Sequence, residues 1–332
     1  MERLKVAITQ GDTNGIGYKL IFEAFGNPEV FELCTPVVYG NPKIAAYHRK
    51  FYNSETSFHI ISEVPDTQQG HLNVLTVHDN ELKVSIGASN EESRQAANLA
   101  EETAKSDFNR GRFDVLVNIT NGEDYKSSSP KLYVTDEYRI MLVSEKTHLN
   151  EIPSDITAQK ITERAKKLHK ILRNDFRITN PRIAVLMQNA SEEEEEKTII
   201  RPTIEELVKE GIQCFGPYRA TEYFANHMAD DFDAVLAMYG EQVLPHYTQN
   251  DEECSVMIDE EGFISVMPLR LNDGCSLLKH IYLGIDAYRN RKNAEEASAH
   301  PLPKLFHERH EDEERRPTRF QPFDFEKKTD EQ

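Results

Sequence analysis

The stretch Leu4-Lys-Val-Ala-Ile-Thr9, followed by a loop that holds Gly11, Gly15 and Gly17 and then by residues 18–25, decides the fold class. The alternating, β-branched first part predicts a strand, and the apolar residues at helical spacing in the last part predict a helix. A strand that passes through a short glycine-containing loop into a helix is the repeating unit of α/β folds. The sequence therefore predicts an α/β protein.

The same alternation continues along the chain. Further strands are predicted at 35–39, 113–119, 138–143, 182–187 and 234–238. Helices are predicted at 90–109, 158–175, 198–210 and 276–289. Residues 255–259 and 263–268 predict an antiparallel hairpin. Together these elements predict two α/β/α domains whose mixed, mainly parallel sheets flank a cleft.

The order of the elements also predicts the domain boundaries. We assign residues 1–120 together with 276–292 to the first domain and residues 121–275 to the second. From residue 293 onward Pro, Glu, Arg and His dominate and apolar periodicity ends. Such a composition cannot bury enough apolar surface to fold alone, so residues 293–332 are predicted to form a disordered tail.

Composition limits the class of partner and the compartment. The formal net charge of −18 repels nucleic acid and anionic membrane surfaces. No apolar run approaches the roughly 18 residues of a membrane helix. The four cysteines lack a Cys-x-x-Cys pair and lie mostly in apolar surroundings, which is typical of reduced core thiols. These features predict a cytoplasmic protein that contacts neither nucleic acid nor membrane.

Several segments resemble one enzyme family. Val6-Ala-Ile-Thr-Gln-Gly-Asp-Thr-Asn-Gly-Ile-Gly17, Asp114-Val-Leu-Val-Asn-Ile-Thr120 and Asp233-Ala-Val-Leu-Ala-Met-Tyr239 are similar, in order and spacing, to segments of the 4-hydroxythreonine-4-phosphate dehydrogenases, which make a vitamin B6 precursor. The resemblance implies an isopropylmalate-dehydrogenase-like fold and a homodimer. It also implies NAD and a divalent metal as cofactors if the family activity is retained. Residues 255–268 and 276–289 are the interface candidates.

The chain departs from this family where the family carries its metal-ligand histidines. The three corresponding places in this chain are residues 121–137, residues 188–196 and Gly240. None of them supplies an imidazole. Transition-metal sites need several converging ligands. The sequence therefore predicts no metal site, and the chain is interpreted as a divergent member of the family.

Two segments are candidates for ligand binding. Gly11, Asp12, Asn14, Gly15 and Gly17 precede a helix, whose N-terminal amides can hold a phosphate or carboxylate. The alternative is a tight turn that needs glycine for its backbone conformation. No residue is assigned a catalytic role.

The second candidate is the pair Glu241 and Gln242, which follows the carboxyl end of a strand, where open α/β sheets place ligands. Glu241 could hold a hard cation through oxygen, although one carboxylate binds such a cation poorly. The alternative is a solvated edge.

The tail holds one aromatic segment that suggests a protein partner. Arg319, Phe320, Phe323 and Phe325 surround a proline within a few positions. An extended segment of this kind can dock into a groove with its rings as anchors. The alternative is that the rings fold back onto the body of this chain.

Besides a small-molecule or phosphate sensor that keeps only the loop from Gly11 to Gly17, two functions remain open at this point. In the first, the chain is a homologue of 4-hydroxythreonine-4-phosphate dehydrogenase that has lost metal-dependent oxidation and acts as a binding or regulatory protein. In the second, it is an active NAD-dependent, metal-assisted dehydrogenase of 4-phosphooxy-threonine or a related phosphorylated hydroxy acid. The first reading follows from the missing histidines, and the second from the extent of the resemblance.

Overall fold

A computed structural model of the chain describes residues 3–78, 83–191, 193–243, 253–260 and 263–300. Its strands are β1 (Leu4–Thr9), β2 (Cys34–Gly40), β3 (Phe58–Ile61), β4 (Leu72–Thr76), β5 (Val115–Val117), β6 (Lys131–Val134), β7 (Arg139–Leu142), β8 (Arg182–Leu186), β9 (Gln213–Tyr218), β10 (Ala234–Ala237), β11 (Ser255–Glu260) and β12 (Phe263–Pro268). Its α-helices are α1 (Gly17–Ala24), α2 (Val30–Leu33), α3 (Pro42–Phe51), α4 (Glu91–Asn109), α5 (Ile152–Asp155), α6 (Ala158–Asn174), α7 (Arg201–Lys209), α8 (Ala220–Ala225) and α9 (Leu277–Ala299).

The strands form one twelve-stranded sheet in the order β3-β4-β2-β1-β5-β12-β11-β6-β7-β10-β8-β9. Three strand pairs are antiparallel, namely β11–β12, β11–β6 and β6–β7. The other pairs are parallel, including β12 with β5, which joins the two halves of the sheet. The predicted fold class, α/β with a mixed and mainly parallel sheet, is thereby confirmed.

Helices cover both faces of the sheet. On β1, Val6 and Ile8 belong to the core cluster that contains residues of α1 and α9, whereas Ala7 belongs to the cluster of α4. Successive side chains of a strand point to opposite faces, so one strand contributes to two cores. From α4 the small residues Ala100 and Ala104 face the sheet, which allows the helix to pack close to it.

The second half of the sheet repeats this arrangement. Leu236 of β10 packs in the cluster that holds Leu168 of α6 and Leu207 of α7. Its neighbour Val235 packs on the opposite face with Phe224 of α8. The described residues therefore have the three-layer α/β/α arrangement that the strand–helix alternation indicated.

The hairpin of β11 and β12 lies inside the sheet. β11 also pairs with β6 and β12 also pairs with β5, so both outer edges of the hairpin are occupied by strands of the same chain. Residues 255–258 and 263–268 are buried. The hydrogen-bonding edges of the hairpin are therefore used within the chain, and its role in a subunit interface stays a prediction.

The division into two domains stays a prediction. Contacts within the chain group residues 1–295 into one compact unit, through which the sheet is continuous. The last helix continues to Ala299, ten residues past its predicted end at Arg289 and beyond the tail boundary at 293. Alanine and glutamate in this segment favour a helix, which explains the extension. The tail segment with Arg319, Phe320, Phe323 and Phe325 lies outside the described residues.

Two predictions based on composition can be compared with the structure. The four cysteines are free and buried, as expected for reduced core thiols. Across the described ranges, no helix combines the length and the apolar character that crossing a membrane requires.

Candidate functional site

The glycine loop between β1 and α1 is shaped by close backbone packing. Gly11 has φ +70°, and a Cβ atom there would lie 2.7 Å from the carbonyl oxygen of Ile119. A Cβ atom at Gly17 would lie 2.2 Å from the carbonyl oxygen of Gln10. Both positions therefore require glycine for steric reasons alone. The same two glycines would permit a ligand's close approach, but they do not demand one.

The polar side chains of this loop are used within the chain. Asp12 Oδ1 accepts a hydrogen bond from the Asn14 amide at 2.8 Å. Asn14 is buried, its Oδ1 accepts from the Ser85 amide, and its Nδ2 donates to the Ala88 carbonyl oxygen. Asn14 thus fixes the segment before α4 to the loop. This geometry favours the tight-turn alternative, and the ligand-binding role of Gly11, Asp12, Asn14, Gly15 and Gly17 stays a prediction.

The turn after β10 is held by a glutamine. Gln242 Oε1 accepts from the Met238 amide at 2.9 Å, and its Nε2 donates to the Met187 carbonyl oxygen at 2.5 Å. The side chain therefore ties the end of β10 to the end of β8. Glu241 beside it is exposed. Gln242 thus has a structural role, and the ligand-binding role of Glu241 and Gln242 stays a prediction.

The loop after β8 is closed by its own glutamate. The Glu196 carboxylate accepts hydrogen bonds from the amides of Gln188, Asn189 and Glu193 at 2.9–3.0 Å. Burial acts to raise the pKa of Glu196, but these hydrogen bonds outweigh burial and lower the pKa. Glu196, the last of five consecutive glutamates, is fully buried.

These two loops lie side by side, since β8 and β10 are neighbours, but they are far from the glycine loop. β1 and β10 are six strand positions apart in the sheet. At about 4.8 Å per position, the separation along the sheet is about 29 Å. The structure therefore does not gather the two predicted groups of ligand-binding residues into one small-molecule site.

A different set of chemically active side chains converges before β11. His280 Nε2 lies 3.1 Å from Glu253 Oε1 and 3.4 Å from Cys275 Sγ. Among the residues that the structure describes, this is the group of His, Cys and acidic side chains whose donor atoms lie close enough to share a metal ion. His280 Nδ1 lies 2.7 Å from Ser255 Oγ.

Burial and charge shape the electrostatics of this group. Burial, reinforced by the neighbouring Glu253 carboxylate, raises the pKa of the Cys275 thiol. Burial also acts to raise the pKa of Glu253, but its contacts with His280 and Cys275 outweigh it and lower the pKa. The Ser276 amide donates to Glu253 Oε1 at 2.5 Å. The Glu253 carboxylate is thus held against the start of α9 by this hydrogen bond and by its contacts with Cys275 and His280.

Sequence reasoning missed this group because its members come from distant positions. Cys275 and His280 flank the first turn of α9, but Glu253 and Ser255 precede them by twenty or more residues. The only local signal was a Cys and a His five positions apart. Only the tertiary contact between the start of β11 and the start of α9 places Glu253 and Ser255 beside them.

The chain is a mixed, mainly parallel α/β protein, and its candidate functional residues lie on loops at the ends of strands. The family model described as "Pyridoxal phosphate biosynthetic protein PdxA" matches residues 123–258. The 4-hydroxythreonine-4-phosphate dehydrogenase of Bacteroides thetaiotaomicron is 30% identical over 356 residues, covering 94% of this chain and 96% of the relative. That of a Sulfurihydrogenibium species is 26% identical over 73% of this chain and 81% of the relative.

Solved structures agree with this relationship at the level of fold. The 4-hydroxythreonine-4-phosphate dehydrogenase of Burkholderia phymatum superposes with a TM-score of 0.68 at 18% identity, covering 86% of this chain and 99% of that one. The enzyme of Klebsiella pneumoniae gives 0.69 at 16% identity, with 86% and 98% coverage. On the full-length relationship, the chain belongs to the PdxA family. The resemblance deduced from the sequence is confirmed.

Proposed function

We propose that this chain is a PdxA-family protein that binds a phosphorylated hydroxy acid of the class its relatives act on, in a binding or regulatory role, without the metal-dependent oxidation. The observation that carries this proposal is the state of the two loops after β8 and β10. The family resemblance places metal-ligand histidines there. This chain instead has Gly240, without a side chain, and two positions later Gln242, whose side chain is hydrogen-bonded between the strand ends.

The second loop supports the same proposal. Glu196 is directed into its own loop, where three backbone amides occupy the carboxylate. A carboxylate that is fully engaged in hydrogen bonds must break them to become a metal ligand. The residues that the structure describes at these two strand ends therefore do not fit the family's divalent metal, and no reaction step is derived through it.

A calorimetric titration paired with an oxidation assay tests the proposal. Full-length protein is titrated with 4-hydroxythreonine-4-phosphate, with and without NAD and added Mn²⁺ or Zn²⁺, and NADH is followed by absorbance. The relative from Bacteroides thetaiotaomicron is the positive control. We expect heat of binding without NADH formation. Turnover within about a hundredfold of the control would overturn the proposal, and so would the absence of any binding.

An active dehydrogenase is the second candidate. The observation that favours it is the extent of the relationship, which spans 94% of this chain and 96% of a relative named for that activity. Under this alternative the chain takes NAD and a divalent metal, and acts on 4-phosphooxy-threonine or a related phosphorylated hydroxy acid. NADH formation in the assay above, abolished by a chelator, is the result that would select it.

We further propose that the chain is a homodimer in the cytoplasm. The support is the family relationship, and the interface candidates are the hairpin of β11 and β12 and helix α9. Light scattering at micromolar concentrations should give about twice the 38.2 kDa chain mass. A constant monomer mass would refute the dimer.

The aromatic tail segment is proposed to dock onto a protein partner through Phe320, Phe323 and Phe325, with Arg319 adding specificity. Deleting residues 312–332 should leave the melting temperature unchanged and remove the partner in a pull-down. A large drop in melting temperature would instead favour the alternative in which the segment folds back onto this chain.

A further inference from the structure

We propose that Glu253, Cys275 and His280 form a binding site for a divalent transition metal of the zinc type. Their donor atoms lie within 4.8 Å of one another. Two of the three separations are 3.1 Å, from His280 Nε2 to Glu253 Oε1, and 3.4 Å, from His280 Nε2 to Cys275 Sγ. The proposal concerns a place other than the β8 and β10 loops and does not rest on the proposed function.

The separations fit a tetrahedral ion. Zinc bonds of about 2.0–2.1 Å to nitrogen or oxygen and about 2.3 Å to sulfur imply ligand–ligand edges of about 3.3–3.6 Å. The two separations from His280 Nε2 lie within a few tenths of an ångström of these edges. An ion can therefore enter with small side-chain movements and without rearranging the backbone.

A serine sets the orientation of the histidine. Ser255 Oγ and His280 Nδ1 are 2.7 Å apart, and both residues are fully or almost fully buried. If Nδ1 carries the ring proton and donates it to Ser255, then Nε2 presents its lone pair toward the Glu253 carboxylate. In that tautomer two acceptors face each other at 3.1 Å, and a proton or a metal ion between them removes their repulsion. A ligating histidine whose other nitrogen donates to a polar group is the usual arrangement in metal sites.

The charges and the ligand types select the metal. With the thiol ionised, Glu253 and Cys275 supply two negative charges, which a divalent ion neutralises. The metal forms a bond to Sγ, and the thiol proton leaves to solvent as the S–H bond breaks. A ligand set of nitrogen, sulfur and oxygen favours zinc or cobalt over the hard cations magnesium and calcium. Three protein ligands leave the fourth tetrahedral position for water.

The position of the site in the fold suggests what the ion does. Glu253 and Ser255 stand at the start of β11, and Cys275 and His280 stand at the start of α9. The ion would link these two elements at the end of the sheet where β5 and β12 have their last residues. Since β1 and β11 are three strand positions apart, the glycine loop lies about 14 Å away along the same edge.

Metal removal and reconstitution of the full-length protein test the proposal. The protein is dialysed against a chelator and then titrated with Co²⁺, whose absorption reports both a bond to thiolate and a tetrahedral geometry. We expect one equivalent to bind with a thiolate-to-cobalt band and Zn²⁺ to displace it. Zinc should also raise the melting temperature, since ligands that bind only the folded state stabilise it.

Four variants separate this site from other thiols and from misfolding. Cys275→Ser and Glu253→Gln should abolish the thiolate band or weaken zinc binding at least about tenfold. Ser255→Ala should keep the band but weaken zinc binding about 10- to 100-fold. Cys214→Ser, which removes another buried thiol, should change nothing. Circular dichroism confirms that each metal-free variant is folded.

The contrary outcomes are equally defined. A folded wild-type protein that binds neither Co²⁺ nor Zn²⁺ would overturn the site and leave a metal-free hydrogen-bonded group, in which His280 Nε2–H donates to Glu253. A thiolate band that survives in Cys275→Ser would also overturn it. Neither result bears on the binding or oxidation of 4-hydroxythreonine-4-phosphate, which is measured separately.

Discussion

The side-chain amide of Gln242 donates to the carbonyl oxygen of Met187 at 2.5 Å and so joins the ends of two parallel strands. Its carbonyl oxygen also accepts from the Met238 amide, so one side chain satisfies two buried backbone groups. Buried backbone groups that lose their partners are costly because water cannot replace them. Gln242, two positions after Gly240, is therefore part of the framework in this protein.

Removing this link should destabilise the fold. We expect Gln242→Ala to lower the free energy of unfolding by about 1–3 kcal/mol, since Met187 and Met238 would each lose a partner. Glu241→Ala, at the exposed neighbouring position, should change it by less than about 0.5 kcal/mol. Urea unfolding of both variants measures the difference. Equal effects at the two positions would contradict the structural role of Gln242.

The buried Glu196 carboxylate should make stability depend on pH. Its hydrogen bonds lower its pKa in the folded state below the value in the unfolded chain. The stabilisation is therefore complete above the unfolded pKa of about 4.3, and it is lost as the pH falls through the folded value.

Unfolding of wild type and Glu196→Gln at a series of pH values measures this effect. The variant should be less stable by about 1–3 kcal/mol at neutral pH, because an amide group cannot accept as many backbone hydrogen bonds. The difference should shrink in acid, where the wild-type carboxyl is protonated. A difference that stays constant from neutral pH down to acid would show that the charge of Glu196 is not involved.

The glycine loop offers a test of its steric origin. Gly17→Ala places a methyl group 2.2 Å from the Gln10 carbonyl oxygen, and this backbone atom cannot move aside cheaply. We expect a loss of about 1–3 kcal/mol in the free energy of unfolding, as for overpacked sites. Gly26→Ala is the matched control, since its methyl group would meet neighbours at 3.4 Å, an ordinary contact. A neutral Gly17→Ala would show that the loop is looser than described.

The sequence predicted most of the elements because their signals are local. Apolar alternation gave β1, and the Asn90 cap marked the start of α4, where its side chain accepts from the Ser93 amide. The central position of the hairpin could not be predicted, because pairing of β12 with β5 depends on contacts between distant segments. The burial of Glu196 was hidden for a related reason. In a run of five glutamates only the fold decides which one turns inward.

The candidate functional residues show the same limit of prediction from sequence. The absence of histidine at Gly240 is readable in the sequence, but the engagement of Gln242 between two strands is not. Likewise, a Cys and a His five positions apart carry little meaning until Glu253 is placed beside them. Tertiary contacts bring functional side chains together, whereas hydrophobic periodicity in the sequence indicates only secondary structure.

The extension of α9 past its predicted end is anchored by an arginine, and this gives the last prediction. Arg291 donates to both carboxylate oxygens of Asp175, at 2.9 and 2.6 Å, and to Asp259 Oδ1 at 2.9 Å. Asp175 is almost fully buried, so removing the guanidinium would leave a carboxylate without its partner. We expect Arg291→Met to lower the free energy of unfolding by about 3–5 kcal/mol. Lys292→Met, which removes an exposed pair with Glu295 and a cation–π contact with Tyr288, should cost at most about 1 kcal/mol. The double variant Asp175→Asn with Arg291→Met should recover part of the loss, because no buried charge remains. If Arg291→Met proves no more destabilising than Lys292→Met in thermal and urea unfolding, then the ion pairs do not hold the helix against the body of the protein.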